Sequence, residues 1–327
     1  MKIFLKQSKL YLIGILLSTA GFAETIYISP SEDPYTEIQE ALILANPGDI
    51  VHLSSGLYEL EDSLSIDVRN IILEGDGMNE TVLSFKNQLS GAQGLSVTSD
   101  NVILRDFAIE NAKGDAIKVK GVDGISFIRV RTEWTGGPSS ENGAYGLYPV
   151  ESKNVLIDSC VAIGASDAGI YVGQSENIIV KNSIAEFNVA GIEIENSYYA
   201  DVFNNVASNN TGGILVFDLP DIPQQGGHHI RVFNNKSVNN NTDNFAPEGN
   251  IVGEVPRGSG IIIQANSHVE VFDNDIGEND TINIAVVTYG YDTEDKNYYP
   301  HPRSIQIHSN RFGRSGYNPD LETGELA

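Results

Sequence analysis

The chain has 327 residues, 41% of them hydrophobic, and 44 Asp and Glu against 20 Lys and Arg give it a formal charge of −24. That charge excludes a nucleic-acid partner, whose phosphates need a Lys/Arg face, and disfavours a purely electrostatic grip on an anionic polysaccharide unless the few cations are gathered in one place. No cofactor is evident; an acidic surface can hold Ca²⁺, yet no D-x-D-x-D-G loop of oxygen ligands occurs.

In chain order, Lys2, Lys6 and Lys9 precede a short apolar run from Leu10 to Leu17, and small residues continue up to Ala23. This reads as a secretory signal cleaved after Ala23, too short to span a membrane. It predicts a periplasmic or secreted chain of 304 residues, 327 minus 23. No cysteine directly follows the run, which argues against a lipid anchor at that point, and no later stretch has ~18 uninterrupted apolar residues. Next, "DPYTEIQEALILANPGD" sets Ile38, Leu42 and Ala45 at helical spacing, and Asn46-Pro47-Gly48 ends the helix. Residues 24–48 are therefore expected to form a strand and an amphipathic helix that caps the next segment.

From residue 49 onward the chain repeats itself. "DAIKVK" (115–120), "GLYPVE" (146–151), "GIYVGQ" (169–174), "GIEIEN" (191–196), "GILVFD" (213–218) and "GIIIQA" (260–265) share a small residue and then alternating apolar positions. Gly146, Gly169, Gly191 and Gly213 are spaced 23, 22 and 22 apart. Strands this short cannot bury a core singly but can when stacked coil on coil. The predicted fold over 49–312 is all-β, a single-stranded parallel β-helix, or solenoid, with two or three strands per coil. A second run trails each first one and puts Cys160, Ser183, Asn205, Asn235, Asn274 and Asn310 in one column, expected to be a hydrogen-bonded turn ladder. Cys160 is the lone cysteine and reads as a core thiol. The tail 313–327 is polar and has no apolar face. Either a partner or a second copy covers the last coil, or the chain is a piece of a longer one, and the second reading is preferred.

The stretches "IQEALILANPGDIVHLSSGLYEL" and "NIILEGDGMNETVL" resemble the start of the pectate-lyase-like superfamily of secreted right-handed β-helices. The resemblance implies that handedness and a carbohydrate-active setting. "EWTGGP", "NGAYGLYPV" and "GGILVFDLPD" are similar to bacterial proteins known only as parallel β-helix repeat proteins, and no activity follows from that name. More distantly, Tyr145-Gly146-Leu147-Tyr148-Pro149-Val150 resembles the Tyr-Gly-Phe-Asp-Pro-His motif of mannuronan C5-epimerases. Tyr145 and Pro149 match, but Tyr148 replaces the acid, Val150 the imidazole, and a further acid falls near Gly173, so epimerisation by that mechanism is not expected.

Alternation decides which side chains a ligand can touch. One outward column reads Lys118, Tyr148, Tyr171, Glu193, Leu215, Ile262, and another Lys120, Val150, Gly173, Glu195, Phe217, Gln264. With coils about 4.8 Å apart, Lys118 to Glu193 spans roughly 14 Å, a few sugar units. Tyrosine rings stack on pyranoses, and lysines can neutralise a uronate while a tyrosinate or lysine takes the C5 proton. The candidate catalytic residues are thus Lys118, Tyr145 and Tyr148, with Arg131 assisting from the insertion 129–145. Candidate substrate-binding residues are Lys120, Glu133, Trp134, Tyr171, Glu193, Glu195 and, from the insertion 218–229, Asp218. The competing reading of the wall is a cross-rung charge ladder worth about a few tenths of a kcal/mol per pair, and Trp134 fits a loop-packing role equally well. His228-His229 reads as loop surface, since adjacent imidazoles cannot converge on a metal without a distant third ligand, and no metal site is assigned. The expected function is a secreted protein that binds, and processes, uronic polysaccharide along this groove. The alternative is a non-catalytic solenoid that holds an envelope protein partner.

Overall fold

The computed structural model describes residues 23–321; apart from Ala23, the expected signal segment lies outside the described residues. Parallel strands wind coil upon coil into two long sheets, one of nine strands and one of 19 among the described residues. The alternation seen in the sequence is the cause. Ile117, Leu147, Ile170, Ile192, Ile214 and Ile261 are register partners on successive coils of the nine-stranded sheet, and all six are wholly buried. Each fully buried aliphatic side chain stabilises the stack by about 1.5–3 kcal/mol, and the polar residues between them face outward.

The corners hold the coils in step. Ser159, Asn182, Asn204, Asn234, Asp273 and Ser309 adopt φ between 54° and 59°, a left-handed conformation that short polar side chains tolerate best. Each is followed by a member of the expected ladder. Asn205 Nδ2 donates to Asn235 Oδ1 at 3.0 Å, Asn235 Nδ2 to Asn274 Oδ1 at 3.1 Å and Asn274 Nδ2 to Asn310 Oδ1 at 2.9 Å. Ser183 joins the column by donating its backbone N–H to Asn205 Oδ1, and Cys160 by donating its own to Ser183 Oγ. A second buried ladder, Asn188, Asn210, Asn240 and Asn279, runs along the next corner and was not anticipated. Cys160 is fully buried, and burial pushes its thiol up to about 12. It is inert, as expected.

The strand Thr25–Ile28 pairs with Ile50–Leu53, and the helix Pro34–Leu44 lies between them in sequence. Asp33 accepts from the Thr36 N–H, and Pro34 takes a first-turn position where no N–H is needed. Ile38, Ala41 and Leu42 enter the main core. At the other end Ile307 and Phe312 are exposed.

Three insertions leave the coils beside the nine-stranded sheet. They come after the strands Asp123–Glu133, Gly212–Phe217 and Lys236–Val238, and a fourth loop spans 288–302 after Ile282–Val287. They determine what the sheet's outer face can do.

Candidate functional site

Lys118 pairs in register with Tyr148, and the flanking partners Leu147–Ile170 and Val150–Gly173 set Tyr148 against Tyr171. Tyr171 then pairs with Glu193, and Glu193 with Leu215. The four polar residues expected on one wall are on one wall. Lys118 Nζ lies 4.9 Å from the centre of the Tyr148 ring and 3.7 Å from Asp115 Oδ2. Tyr145, at the start of the same strand as Tyr148, completes a three-ring cluster. Its ring centre is 4.3 Å from that of Tyr148 and 4.7 Å from that of Tyr171, with Tyr148 and Tyr171 5.0 Å apart.

Around these rings stand carboxyls. The Tyr145 hydroxyl donates to Asp167 Oδ2 at 3.2 Å, and the Tyr171 hydroxyl donates to Glu195 Oε1 at 2.8 Å. Asp167 is 7% exposed and Glu193 2%. Taking a carboxylate out of water disfavours its charged form, and like charges nearby add to that. Burial therefore raises Asp167, with the charges of Glu195 and Asp115 adding to it and the Tyr145 bond opposing. Burial raises Glu195 likewise, with Asp218 adding and the Tyr171 bond opposing. Glu193 is pushed well up by burial and by Glu195 and Asp167. Asp115 is raised by burial against the pull of Lys118, and Asp218 by burial to about 6 although the Gly227 N–H bonds to it.

The tyrosines move the same way. Burial lifts Tyr145 far above its ordinary value and Tyr148 to about 12, with acidic neighbours adding to both. A base at neutral pH needs the opposite shift. The tyrosinate base expected from the residues alone therefore does not stand; two of the three hydroxyls, those of Tyr145 and Tyr171, donate to carboxyls.

Other expected residues fall elsewhere. Arg131 and Glu133 belong to the 19-stranded sheet, where the Arg131 guanidinium bonds to Glu110 Oε1 at 2.8 Å, to the Met78 carbonyl at 3.2 Å and to Glu133. Neither is on the tyrosine wall. Trp134 is 5% exposed, packs into the main core and donates its indole N–H to the Ala112 carbonyl at 2.7 Å. It anchors its loop and offers no face to a ligand. Asp218 is 2% exposed, and its carbonyl accepts from the Tyr298 hydroxyl, so it braces two loops at the edge of the wall rather than lining the groove. Lys120 is exposed and paired with Glu151 at 3.2 Å. Two residues were missed: Asp115, which alternation counts on the inward parity of Ile117 although the register sets it beside Tyr145 at the strand's start, and Asp167, which sits in a turn and carries no periodic signal. Among the described residues no three His, Cys, Asp or Glu side chains converge as a metal cage.

The buried carboxyls make a pH prediction. In an unfolded chain they ionise near ~4, whereas Asp167 and Glu195 do so at about 7 in the folded one. The folded state therefore holds more protons between these limits, and the stability this confers is full below the lower and lost as pH rises through the upper. Carboxyls held low, such as Asp49 and Asp275, lose their contribution only below about pH 4 and do not offset this window. Melting temperature is expected to be higher at about pH 5 than at about pH 8, and Glu193→Gln to flatten that slope. Thermal melts across the range check it.

A family model described as "Right handed beta helix region" matches residues 70–222. No curated protein sequence matches the chain. Among solved structures, it is similar to the A-module of the Azotobacter vinelandii mannuronan C-5 epimerase AlgE4, with TM-score 0.58, 15% identity, and coverage of 90% of this chain and 95% of that one. It is also similar to the polygalacturonase from Erwinia carotovora, with TM-score 0.58, 12% identity and coverage of 89% and 94%. For pectate lyase Pel9A the values are TM-score 0.52, 13% identity and coverage of 94% and 82%. At these identities the likeness is one of fold.

Proposed function

We propose that this chain, a parallel β-helix whose residues 70–222 match the right-handed β-helix model and whose fold resembles those of pectate lyase, polygalacturonase and mannuronan epimerase structures, binds a uronic polysaccharide along the outer wall of its nine-stranded sheet and processes it by acid–base chemistry of Asp167 and Glu195. One observation carries the reading: two carboxyls from neighbouring coils, each bonded to a tyrosine hydroxyl, are held protonated toward neutrality by burial, with Glu195 and Asp115 adding to the shift of Asp167 and Asp218 to that of Glu195. Paired carboxyls whose environments shift their ionisation are the usual equipment for moving protons at a glycosidic bond. The protonated member donates to the leaving oxygen, and the ionised member takes a proton from water or from the sugar ring.

The remaining wall residues have roles in that scheme. Tyr148, half-buried, offers ring surface to a pyranose. Lys118, 3.7 Å from Asp115 Oδ2, and Lys120, paired with Glu151, are the wall's cations and would neutralise a uronate group among its acids. The leader read at residues 1–23 agrees with export to the periplasm or beyond. The second reading is a non-catalytic solenoid for a protein partner. The near-complete burial of Glu193 favours it, because a group sealed from water also suits a purely structural wall.

Incubation with polygalacturonate, alginate and a neutral glucan separates the two. New reducing ends report hydrolysis, ultraviolet absorbance an unsaturated product, and proton NMR epimerisation. At least one polymer is expected to be processed, with a rate that falls on both sides of an optimum near the shifted ionisations. Silence in all three assays, with no polymer shifting the melting temperature, supports the solenoid instead.

A further inference from the structure

The wall is open on one side of the carboxyls and roofed on the other, and we infer that it receives a polysaccharide by a chain end rather than along its middle; this rests on the carbohydrate reading above. On the open side the outward column continues down the stack as Lys118 and Ser96, both partly exposed, and ends at Ser65, on which Gln39 of the helix Pro34–Leu44 is bonded. Lys118 and Ser96 are cationic and small groups at one per coil, a floor about two coils long on which a sugar chain can lie.

On the other side the same column continues as Leu215 and Ile262, 0% and 1% exposed, and the neighbouring one as Phe217, 2% exposed. These outward-facing side chains would meet water in a bare β-helix. Here Val252 and Val255 of the insertion 239–258, themselves 1% exposed, pack on them in a second hydrophobic cluster. The fit is close: a Cβ built on Gly212 would come within 2.9 Å of Val255 Cγ1. The loop 288–302 reaches the same place, so that Gly290 and Tyr291 line, together with Ile251, Val255, Phe217 and Gln264, a cleft of only about 30 Å³. That space holds about one water molecule and no sugar ring. Glu195 lies one coil before Phe217 in the same column. A chain passing Glu195 would therefore strike the roof within about one coil spacing.

A thiol-labelling comparison tests the roof without any substrate. Cys160 is wholly buried and contributes no background. Ser96→Cys is expected to react with a maleimide on the order of 10²-fold faster than Ile262→Cys, because the latter must wait for local opening. Equal rates overturn the closure. Should Ile262→Cys fail the circular-dichroism check for folding, Leu215→Cys, 0% exposed on the same column, takes its place.

The end-on mode is tested with oligogalacturonates and oligomannuronates carrying a bulky fluorophore at either the reducing or the non-reducing end. One cap is expected to weaken binding at least ~10-fold and the other to leave it unchanged. Equal binding of both capped forms, or a collapse in viscosity at the first detectable cleavage of a polymer, overturns the inference. Absence of any binding removes the carbohydrate reading and this inference with it, and the labelling rates still tell whether the roof itself was read correctly.

Discussion

Glu195→Gln is expected to leave the β-helix folded and to lower turnover of the processed polymer by about 10²–10⁴-fold, the range for loss of a positioned acid or base. Gln preserves the shape and keeps an acceptor for the Tyr171 hydroxyl, now 2.8 Å from Glu195 Oε1, so packing is not at issue. What it removes is a group that can exchange a proton. The matching signature lies in the pH–rate profile, which should lose one of its two limbs. Tyr171→Phe, which deletes the donor but keeps the ring, should shift that limb upward, because the hydroxyl bond holds the carboxyl down against burial. Steady-state rates across pH, with circular dichroism as the folding control, decide the matter. Full activity in Glu195→Gln would place the chemistry elsewhere.

Asn210→Ala is expected to destabilise the protein by about 3–5 kcal/mol, among the larger effects a single buried polar side chain can have. Asn210 is wholly buried at the middle of the second ladder. Its Oδ1 accepts from the backbone N–H and the Nδ2 of Asn188, both at 3.0 Å, and its Nδ2 donates to the Ala185 carbonyl at 2.9 Å and to Asn240 Oδ1 at 3.1 Å. Truncation strands the Asn188 N–H and the Ala185 carbonyl in a dry corner, where no water replaces the lost partner. Lys153→Ala removes only an exposed ion pair to Glu176 at 3.2 Å and should cost at most about 1 kcal/mol. Urea unfolding of the two variants side by side makes the comparison, and similar midpoints would show that the ladder is dispensable.

Much of the wall was legible before any coordinates. Lys118, Tyr148, Tyr171 and Glu193 were placed on one face because a coil of nearly constant length returns each outward position above the last. The first asparagine ladder was visible for the same reason. The second carried the same signal and was passed over: Asn188, Asn210, Asn240 and Asn279 each lie five residues after a member of the first, Ser183, Asn205, Asn235 and Asn274. Arg131, Glu133 and Trp134 were misplaced because their neighbours in sequence leave the repeat. Proximity along the chain to Tyr145 says nothing about which of two sheets a side chain faces.

Period, alternation and composition by themselves determined a stacked, parallel, all-β coil with a dry aliphatic interior, since any other register would expose isoleucines to water. They also determined the order of residues on the outer wall. Only the tertiary structure decided which carboxyls the tyrosines hold, in which direction burial shifts their ionisation, and that loop 239–258 packs on Leu215, Phe217 and Ile262 with Gly290 and Tyr291 beside it. Those outcomes depend on where aperiodic segments come to rest, and that is settled by packing between residues far apart in the chain.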